Sequence, residues 1–287
     1  MSTNEHSSYD APVVAVLTYH SVNVGPPEYA RNDHVALATD LRRLHAAGFR
    51  FEPLDSVVDW HSGLREFPRD ARIAVISFDD GATLDFEPEN YPGFGLQPGF
   101  AAVLRGFLDE VGPAVQAGLR ATAFVIADPH TRRRLETHNF DGRRWLADDW
   151  WAQAEAGGLI RVQNHSWDHM HAVADRVCGP NDRRGDFTAV ARDADCACEI
   201  VQAARYIQSR VGGRWPNLFA YPFGHSSRYL REHWWAANQP LHRTRAAFDT
   251  AGRCVSRADS RWALPRLVCG EHWHSPDELL ERLTAPC

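Results

Sequence analysis

The sequence has no apolar run that approaches the roughly 18 consecutive residues needed to cross a bilayer. It has no basic excess either, because 31 Lys+Arg stand against 37 Asp+Glu and the formal net charge is −6. The N-terminal stretch Met1–Asp10 lacks the basic segment followed by an apolar one that is typical of a secretory signal. These absences argue against a transmembrane segment and against a nucleic-acid partner. They favour a cytoplasmic protein in which residues 1–12 form a disordered tail.

Nothing in the sequence marks a boundary between domains, since there is no internal repeat, no low-complexity tract and no obvious linker. With 287 residues, 44% of them apolar, the chain can bury a large core, so residues 13–287 are predicted to form one domain. The six cysteines show no framework spacing and are predicted to be free thiols. They are Cys178, Cys196, Cys198, Cys254, Cys269 and Cys287.

Short apolar runs alternate with stretches of helical periodicity along the chain. The runs are continuously apolar, which indicates strands covered on both faces, as in a parallel sheet. Strands that alternate with helices over this length predict a barrel or a doubly wound sheet, with the chemistry where strands end. The predicted strands are Val13–Tyr19, Ile73–Phe78, Thr122–Ala127, Leu159–Val162, Leu218–Tyr221, Arg245–Phe248 and Leu264–Val268.

One segment, at about residues 82–120, departs from this alternation. Its Pro/Gly/aromatic stretch Phe86–Phe100 is too long for an ordinary loop. An insertion or a lid is therefore predicted there.

Two adjacent carboxylates follow the second predicted strand, where Ser77–Gly81 reads S-F-D-D-G. Neighbouring carboxylates at the mouth of a buried sheet repel each other unless a cation takes one of them and a proton the other. The alternative is a solvated acidic turn in which Gly81 supplies a positive φ.

Histidines follow the fourth predicted strand, in Asn164–His171. His165 and His169 are spaced i, i+4, so both imidazoles lie on one face if this segment is helical. Together with Asp80 they would form a set of two histidines and one carboxylate that suits a divalent cation. The alternative is a histidine-rich surface loop, and His171 could replace either partner.

A tight turn follows the fifth predicted strand, where Ala220–Gly224 reads A-Y-P-F-G. Pro222 and Gly224 fix such a turn and let backbone N–H groups approach a ligand closely. The turn could be structural only, or it could direct the N–H of Phe223 at a developing oxyanion.

These three motifs, in this order, resemble those of the polysaccharide deacetylase family, the NodB-homology carbohydrate esterases. The early Thr18–Ser21 (T-Y-H-S) is similar to the opening strand of many members. The resemblance covers about residues 13–270. It implies a single domain with a deformed (β/α)7-type barrel, within the α/β class, that carries the insertion at about 82–120.

The resemblance also implies a site and an activity. Asp80, His165 and His169 would bind one divalent cation, most often Zn²⁺, and Asp79 would be the general base for the attacking water. The Phe223 N–H would stabilise the oxyanion. The implied activity is the removal of N-acetyl or other N-acyl groups from an amino-sugar-containing glycan, glycolipid or precursor.

The chain departs from the family pattern at two places. Ala220 stands where the third motif commonly has an arginine that orients the base, and Arg266 in a late L-P-R is the candidate to replace it. The late motif that supplies the general acid in this family has no clear match in the sequence. His272 is the candidate for that acid, and His274 and His20 are alternatives.

Aromatic side chains near the strand ends could stack on a sugar, although core packing explains most tryptophans. Trp167, inside the histidine motif, and Tyr221 are the candidates for substrate binding. Further candidates are Trp145, Trp150 and Trp151. Since Trp150 and Trp151 are neighbours on one predicted helix, at least one of them is expected to be exposed or covered by the insertion.

Two other functions remain open. The chain could be an amidase of the same fold that acts on a non-sugar C–N bond. It could also be a relative that binds carbohydrate without turnover, although a binding role does not require a spare carboxylate beside the cation.

Overall fold

The computed structural model describes residues 11–178 and 183–284. Residues 1–10 of the predicted tail, and Cys287, lie outside this part of the chain. Within it the chain forms ten strands, numbered in chain order. They are β1 Val13–Tyr19, β2 Arg50–Phe51, β3 Arg72–Phe78, β4 Glu89–Tyr91, β5 Gly95–Gln97, β6 Ala121–Val125, β7 Ile160–Asn164, β8 Leu218–Ala220, β9 Ala246–Phe248 and β10 Leu267–Val268.

Ten α-helical segments accompany these strands in the described residues. They are α1 Asp33–Ala46, α2 Leu54–His61, α3 Phe100–Val111, α4 Pro129–Asn139, α5 Trp151–Gly157, α6 Asp193–Cys196, α7 Ala203–Arg210, α8 Trp235–Ala237, α9 Gln239–His242 and α10 Pro276–Thr284. A π-helical segment, Ala197–Gln202, joins α6 to α7, and a second one, Leu230–Trp234, leads into α8. None of the described helices has the length and apolarity required to span a bilayer.

The main sheet is parallel and has the order β10-β1-β3-β6-β7-β8-β9, with β2 also paired to β3. An isolated parallel bridge between Phe248 and Leu264 connects β9 to the chain just before β10. The fold is therefore the predicted single α/β domain with a deformed (β/α)7-type barrel. Each of the seven predicted strands corresponds to a strand of this sheet.

The β1 strand shows why the sheet is covered on both faces. All seven of its residues are buried. Val14 and Val16 pack into one apolar cluster, whereas Ala15 and Leu17 pack into another, because successive side chains point to opposite faces of a strand. Its register against β3 pairs Tyr19 with Phe78. The residues that follow these two strands therefore reach the same edge of the sheet.

The 82–120 segment is more regular than the sequence suggested. It contains the antiparallel hairpin β4–β5 and then α3, which buries Phe100, Leu104 and Phe107. The helix α3 connects β3 to β6 as the crossover helix of a βαβ unit. The insertion is therefore the part of the segment before α3, which contains the β4–β5 hairpin.

The prediction of six free thiols is wrong for two of them. Cys178 and Cys198 form a disulfide, with their Cα atoms 6.0 Å apart. The two residues are 20 positions apart in sequence and meet through tertiary contacts, which residue spacing does not reveal. Cys196 and Cys269 are buried thiols.

Candidate active site

The turn after β3 carries the two adjacent carboxylates. Asp80 has φ 73 and Gly81 has φ 77, so both lie in the left-handed region. A Cβ atom on Gly81 would lie 2.6 Å from the Val125 side chain, so only glycine fits there. Asp80 holds a conformation that non-glycine residues rarely adopt, which is frequent at functional sites.

The first carboxylate, Asp79, is paired with Arg266. The guanidinium donates two hydrogen bonds, from Nη1 to Oδ1 at 2.7 Å and from Nη2 to Oδ2 at 2.8 Å. Arg266 is fully buried, and it also lies over the Phe124 ring. Burial alone would raise the pKa of Asp79, but the Arg266 charge and the nearby His165 hold that pKa well below its usual range. Asp79 is therefore an ionised carboxylate in a fixed orientation.

His165 follows β7 and points at both carboxylates. Its Nδ1 is 2.9 Å from the Ala220 carbonyl oxygen, so Nδ1 carries the proton and Nε2 is left as an acceptor. This Nε2 is 3.8 Å from Asp79 Oδ2 and 3.8 Å from Asp80 Oδ1. The register that pairs Asn164 with Phe219 places Ala220 beside His165.

His169 reaches the same point, but not by the predicted geometry. The segment is a loop, since Ser166 and His169 have φ 75 and φ 63 and cannot belong to a right-handed helix. His169 donates its backbone N–H to Ser166 Oγ at 2.9 Å, and its Nε2 lies 3.7 Å from Asp80 Oδ1. The two imidazoles therefore approach each other through a loop, and the helical geometry considered for the i, i+4 spacing does not occur.

The donor set of Asp80, His165 and His169 fits a divalent cation. Their ligand atoms all lie within 4.8 Å of one another. Burial, together with His165 and His171, lowers the pKa of His169 well below its ordinary value, so its imidazole is neutral. A cation requires neutral imidazoles, and the Ala220 carbonyl orients His165 as outer-shell partners do in metal sites.

These residues lie at a cavity of about 320 Å³. The polar and charged lining residues, here termed the polar wall, are His20, Asp79, Asp80, His165, His169, His171, Thr250 and Glu271. The apolar wall is the hydrophobic cluster at the cavity formed by Val22, Ile126, Leu135, Phe140 and Leu146. Phe223 and Gly224 lie at the polar wall, and Asn139 lies beside the apolar one.

A sequence model of the polysaccharide deacetylase family matches residues 68–239, which is more than half of the chain. The matched part includes Asp79, Asp80, His165, His169 and Phe223. The chain belongs to the polysaccharide deacetylase family. A search of curated protein sequences gives no match.

Solved structures share the fold of this family member at low sequence identity. The deacetylase PplD of Streptococcus pyogenes, solved with acetate, has a TM-score of 0.60 at 16% identity, over 94% of this chain and 98% of its own. IcaB from Ammonifex degensii has a TM-score of 0.60 at 16% identity, over 96% and 98%. The deacetylase domain of BpsB from Bordetella bronchiseptica has a TM-score of 0.56 at 14% identity, over 90% and 96%. At such identities the likeness establishes the fold.

Phe223 lies at the cavity in the turn after β8. Its φ is 58, and its ring contacts His169 with the ring centroids 4.4 Å apart. Phe223 is 40% exposed, in contrast to the buried Tyr221 two residues earlier.

Tyr221 and Trp167 do not line the cavity, contrary to the sequence prediction. Tyr221 is fully buried, donates its hydroxyl to the Trp262 carbonyl at 2.7 Å and accepts from Trp235 Nε1 at 2.7 Å. Its side chain leaves the strand end on the face that α8 covers. Trp167 packs edge-on against Tyr206 instead, on the far side of the histidine loop.

The other tryptophans near the strand ends are core residues. Trp145 is buried and stacks on Tyr91 of β4, with centroids 4.8 Å apart. Trp150 and Trp151 are both buried, so neither is exposed. Trp150 stacks on Phe86, as expected for a residue covered by the 82–120 segment.

The histidines proposed as general acid occupy different places. Among the described residues at the cavity, His20 is present and His272 is absent. His272 accepts a hydrogen bond from the Val268 N–H at 2.9 Å, and its ring fills the space beside Gly252. His274 is exposed and lies near Glu278. The backbone N–H of His20 donates a hydrogen bond to Asp33 Oδ2 at 2.8 Å, which fixes the backbone at this position.

Proposed function

We propose that this member of the polysaccharide deacetylase family is a metal-dependent hydrolase that removes N-acetyl or another N-acyl group from an amino sugar. The substrate would be a glycan, a glycolipid or a precursor of one. The observation that carries the proposal is the division of the two adjacent aspartates. Asp79 is bound by Arg266, whereas Asp80 is left for His165 and His169.

Asp80, His165 and His169 would hold Zn²⁺. When bound, such an ion polarises the amide carbonyl and brings the pKa of water toward neutrality. The two imidazoles and one carboxylate leave positions open for water and substrate, as catalytic zinc sites require.

Asp79 would accept the proton of the attacking water. Arg266 orients the Asp79 carboxylate and keeps it ionised. The lowered pKa makes Asp79 a weaker base, but the ion pair fixes the direction in which it accepts the proton. Arg266 thus takes the role of the arginine that Ala220 replaces. The Ala220 carbonyl instead supports His165.

The turn after β8 would stabilise the negative charge on the substrate oxygen. Pro222 has a fixed φ and no N–H, and Phe223 is held in the left-handed region at the polar wall. A backbone N–H that is oriented before the reaction needs no reorganisation when charge develops. Phe223 is therefore the proposed oxyanion donor.

His20, rather than His272, would protonate the leaving amine. It lies at the cavity, on the loop that follows β1, beside the end of β3. The contact of His272 with the Val268 N–H gives that ring a structural role. A general acid must be within hydrogen-bond reach of the atom that it protonates.

Acetate release from a panel of N-acetylglucosamine-containing glycans and precursors tests the proposal. We expect release by Zn²⁺-loaded protein and none after chelation. Metal-loaded protein that binds Zn²⁺ but releases no acetate from any of them would contradict the sugar substrate.

The second candidate, an amidase for a non-sugar C–N bond, is favoured by one observation. The predicted stacking residues Tyr221 and Trp167 do not reach the cavity. Among the described residues that line it, Phe140 and Phe223 are the only Phe, Tyr or Trp side chains. Turnover of simple N-acyl amines that exceeds turnover of amino sugars would favour it.

A further inference from the structure

Glu199 is a buried carboxyl group that the chemistry above does not use. It lies in the π-helical segment Ala197–Gln202, and its side chain has no exposed area. Its Oε2 accepts the backbone N–H groups of Trp167 at 3.1 Å and of Asp168 at 3.3 Å. These two residues lie between His165 and His169, so Glu199 contacts the loop that carries both proposed imidazole ligands.

That loop requires external support. Ser166, His169 and Met170 have φ 75, φ 63 and φ 46, a conformation that is unfavourable for residues other than glycine. Three such residues in one short loop persist only where surrounding contacts determine the backbone. Loosening of this loop would change the position of one imidazole relative to the other.

A second contact ties the same loop to the same π-helical segment. Asn164 donates its side-chain amide to the Ile200 carbonyl at 2.9 Å, and its Oδ1 accepts the Ser166 N–H at 2.9 Å. Single-turn π-helical segments inside α-helices are frequent at functional sites. Here the segment presents the Glu199 carboxyl and the Ile200 carbonyl side by side to the histidine loop.

The far end of the loop is tied to this segment as well. Asp168 accepts the Met170 N–H at Oδ1 and the Cys178 N–H at Oδ2. Cys178 is cross-linked to Cys198, the residue before Glu199. Asp168, Cys178 and Glu199 bring donor atoms within 4.8 Å of one another, yet both carboxyl groups accept backbone N–H groups and the sulfur is in the disulfide. This cluster is a frame for the loop and not a second metal site.

We propose that Glu199 is a positioning residue of the metal centre, which sets the separation of His165 and His169 by accepting the N–H groups of the loop between them. The inference rests on the proposed role of these histidines as ligands. Outer-shell partners of metal ligands typically change affinity by about 10- to 100-fold when they are removed.

The test compares Zn²⁺ affinity in two variants of the full chain. Glu199→Met keeps the length of the side chain but removes the acceptor, whereas Glu199→Gln keeps an acceptor oxygen. We expect Glu199→Met to raise the Zn²⁺ dissociation constant by about tenfold or more and Glu199→Gln to stay within about threefold of wild type. The matched control is Asp195→Asn, at a buried acid of α6 that pairs with Arg192.

Each outcome decides between the alternatives. Wild-type affinity in Glu199→Met would overturn the positioning role, and so would an equal loss in Asp195→Asn, because general loosening would then explain both. Failure of the wild-type protein to bind Zn²⁺ would instead overturn the proposed metal centre.

Hydrogen exchange of the unmodified protein gives a test that does not depend on a variant folding. The Trp167 and Asp168 amides should exchange slowly in the metal-free protein, because Glu199 and not the ion holds them. Rapid exchange that becomes slow only when Zn²⁺ is added would overturn the proposal.

Discussion

The two walls of the cavity are built in different ways. The polar wall consists of residues that follow β1, β3, β7, β9 and β10, with the turn after β8 beside them, and Asp80 and His169 in it have positive φ values. The apolar wall consists of Val22 after β1, Ile126 after β6, and residues of the helix α4 and of the chain that follows it, which pack as a small cluster of their own. Hydrogen bonds and ion pairs fix the first wall, whereas side-chain packing forms the second.

This difference suggests a division of tasks. The polar wall holds the proposed base, acid and ligands, together with Thr250 and Glu271, which could receive sugar hydroxyl groups. The apolar wall offers little to a hydroxyl group, since the side chains of its five residues carry no hydrogen-bond donor or acceptor. With His20 as the proposed acid for the leaving amine, the acyl group is expected to point at the apolar wall.

Removal of the buried arginine should produce the largest effect on the polar wall. Arg266→Met leaves the Asp79 carboxylate buried without its partner, which should destabilise the protein by about 3–5 kcal/mol. Without the guanidinium, burial raises the pKa of Asp79. The acid limb of the pH–rate profile should therefore move to higher pH. Urea unfolding and a pH–rate profile measure the two changes.

Arg132→Met is the control for that substitution. Arg132 is also buried, and it is paired with Asp148 outside the cavity. It should lose stability without the shift in the pH–rate profile. Equal shifts in both variants would show that the polar wall has no special dependence on Arg266.

Substitution of the proposed acid should have the next largest effect. His20→Gln should lower kcat by about 100-fold, because proton donation to the leaving amine is lost, while Zn²⁺ affinity is retained. His272→Gln should stay within about threefold of wild type, since that ring lies outside the cavity. The opposite result, with His272 essential and His20 dispensable, would assign the acid to the late motif.

The apolar wall should control the choice of acyl group rather than the rate constant for the chemistry. Leu135→Ala should shift the ratio of kcat/KM for N-butanoyl over N-acetyl substrate upward by about 10-fold, because added methylene groups find space. Leu104→Ala, at a buried leucine of α3 away from the cavity, is the control for lost stability. An unchanged ratio in Leu135→Ala would show that the acyl group points elsewhere.

The smallest effect is expected at the ion pair behind the apolar wall. Arg132 donates to the Leu146 carbonyl and to Asp148, which also accepts from the Tyr206 hydroxyl. Burial opposes ionisation, but the Tyr206 hydrogen bond and the two arginines Arg132 and Arg210 lower the pKa of Asp148 to about 2. Because the folded pKa lies below the unfolded value, this contribution to stability is present above about pH 4 and is lost as the pH falls toward 2.

Asp148→Asn should remove that pH dependence. The free energy of unfolding should then fall less between pH 6 and pH 3 than in wild type, by on the order of 1 kcal/mol at most for a partly solvated pair. Parallel curves for the two proteins would contradict the account of this ion pair.

The polar wall was largely predictable from the sequence, and the apolar wall was not. Asp79 and Asp80 directly follow a buried strand, His165 follows another, and parallel strands end at one edge, so their meeting could be inferred. The Leu-Pro-Arg sequence also indicated Arg266, which lies against Asp79. No short motif marks Ile126, Leu135 or Leu146, which meet only through the packing of α4 on the loop after it.

Side-chain direction and loop conformation were the main sources of error. Tyr221 and Phe223 are two residues apart in one turn, yet one is buried beneath α8 and the other is exposed at the cavity. Ser166 and His169 adopt left-handed backbone conformations without being glycines, so the sequence did not decide between a helix and a loop for the histidine segment. The pairing of Cys178 with Cys198 depends on tertiary contacts that residue spacing does not encode.

The most direct test of the central claim is the Zn²⁺ dissociation constant and the turnover of Asp79→Asn and Asp80→Asn, measured side by side. Asp79→Asn should bind Zn²⁺ within about threefold of wild type while turnover falls by about 1,000-fold, because the proton acceptor is lost. Asp80→Asn should lose Zn²⁺ affinity by about 100-fold, because the anionic ligand is lost. Equal loss of Zn²⁺ affinity in both variants would contradict the division of roles between the two aspartates.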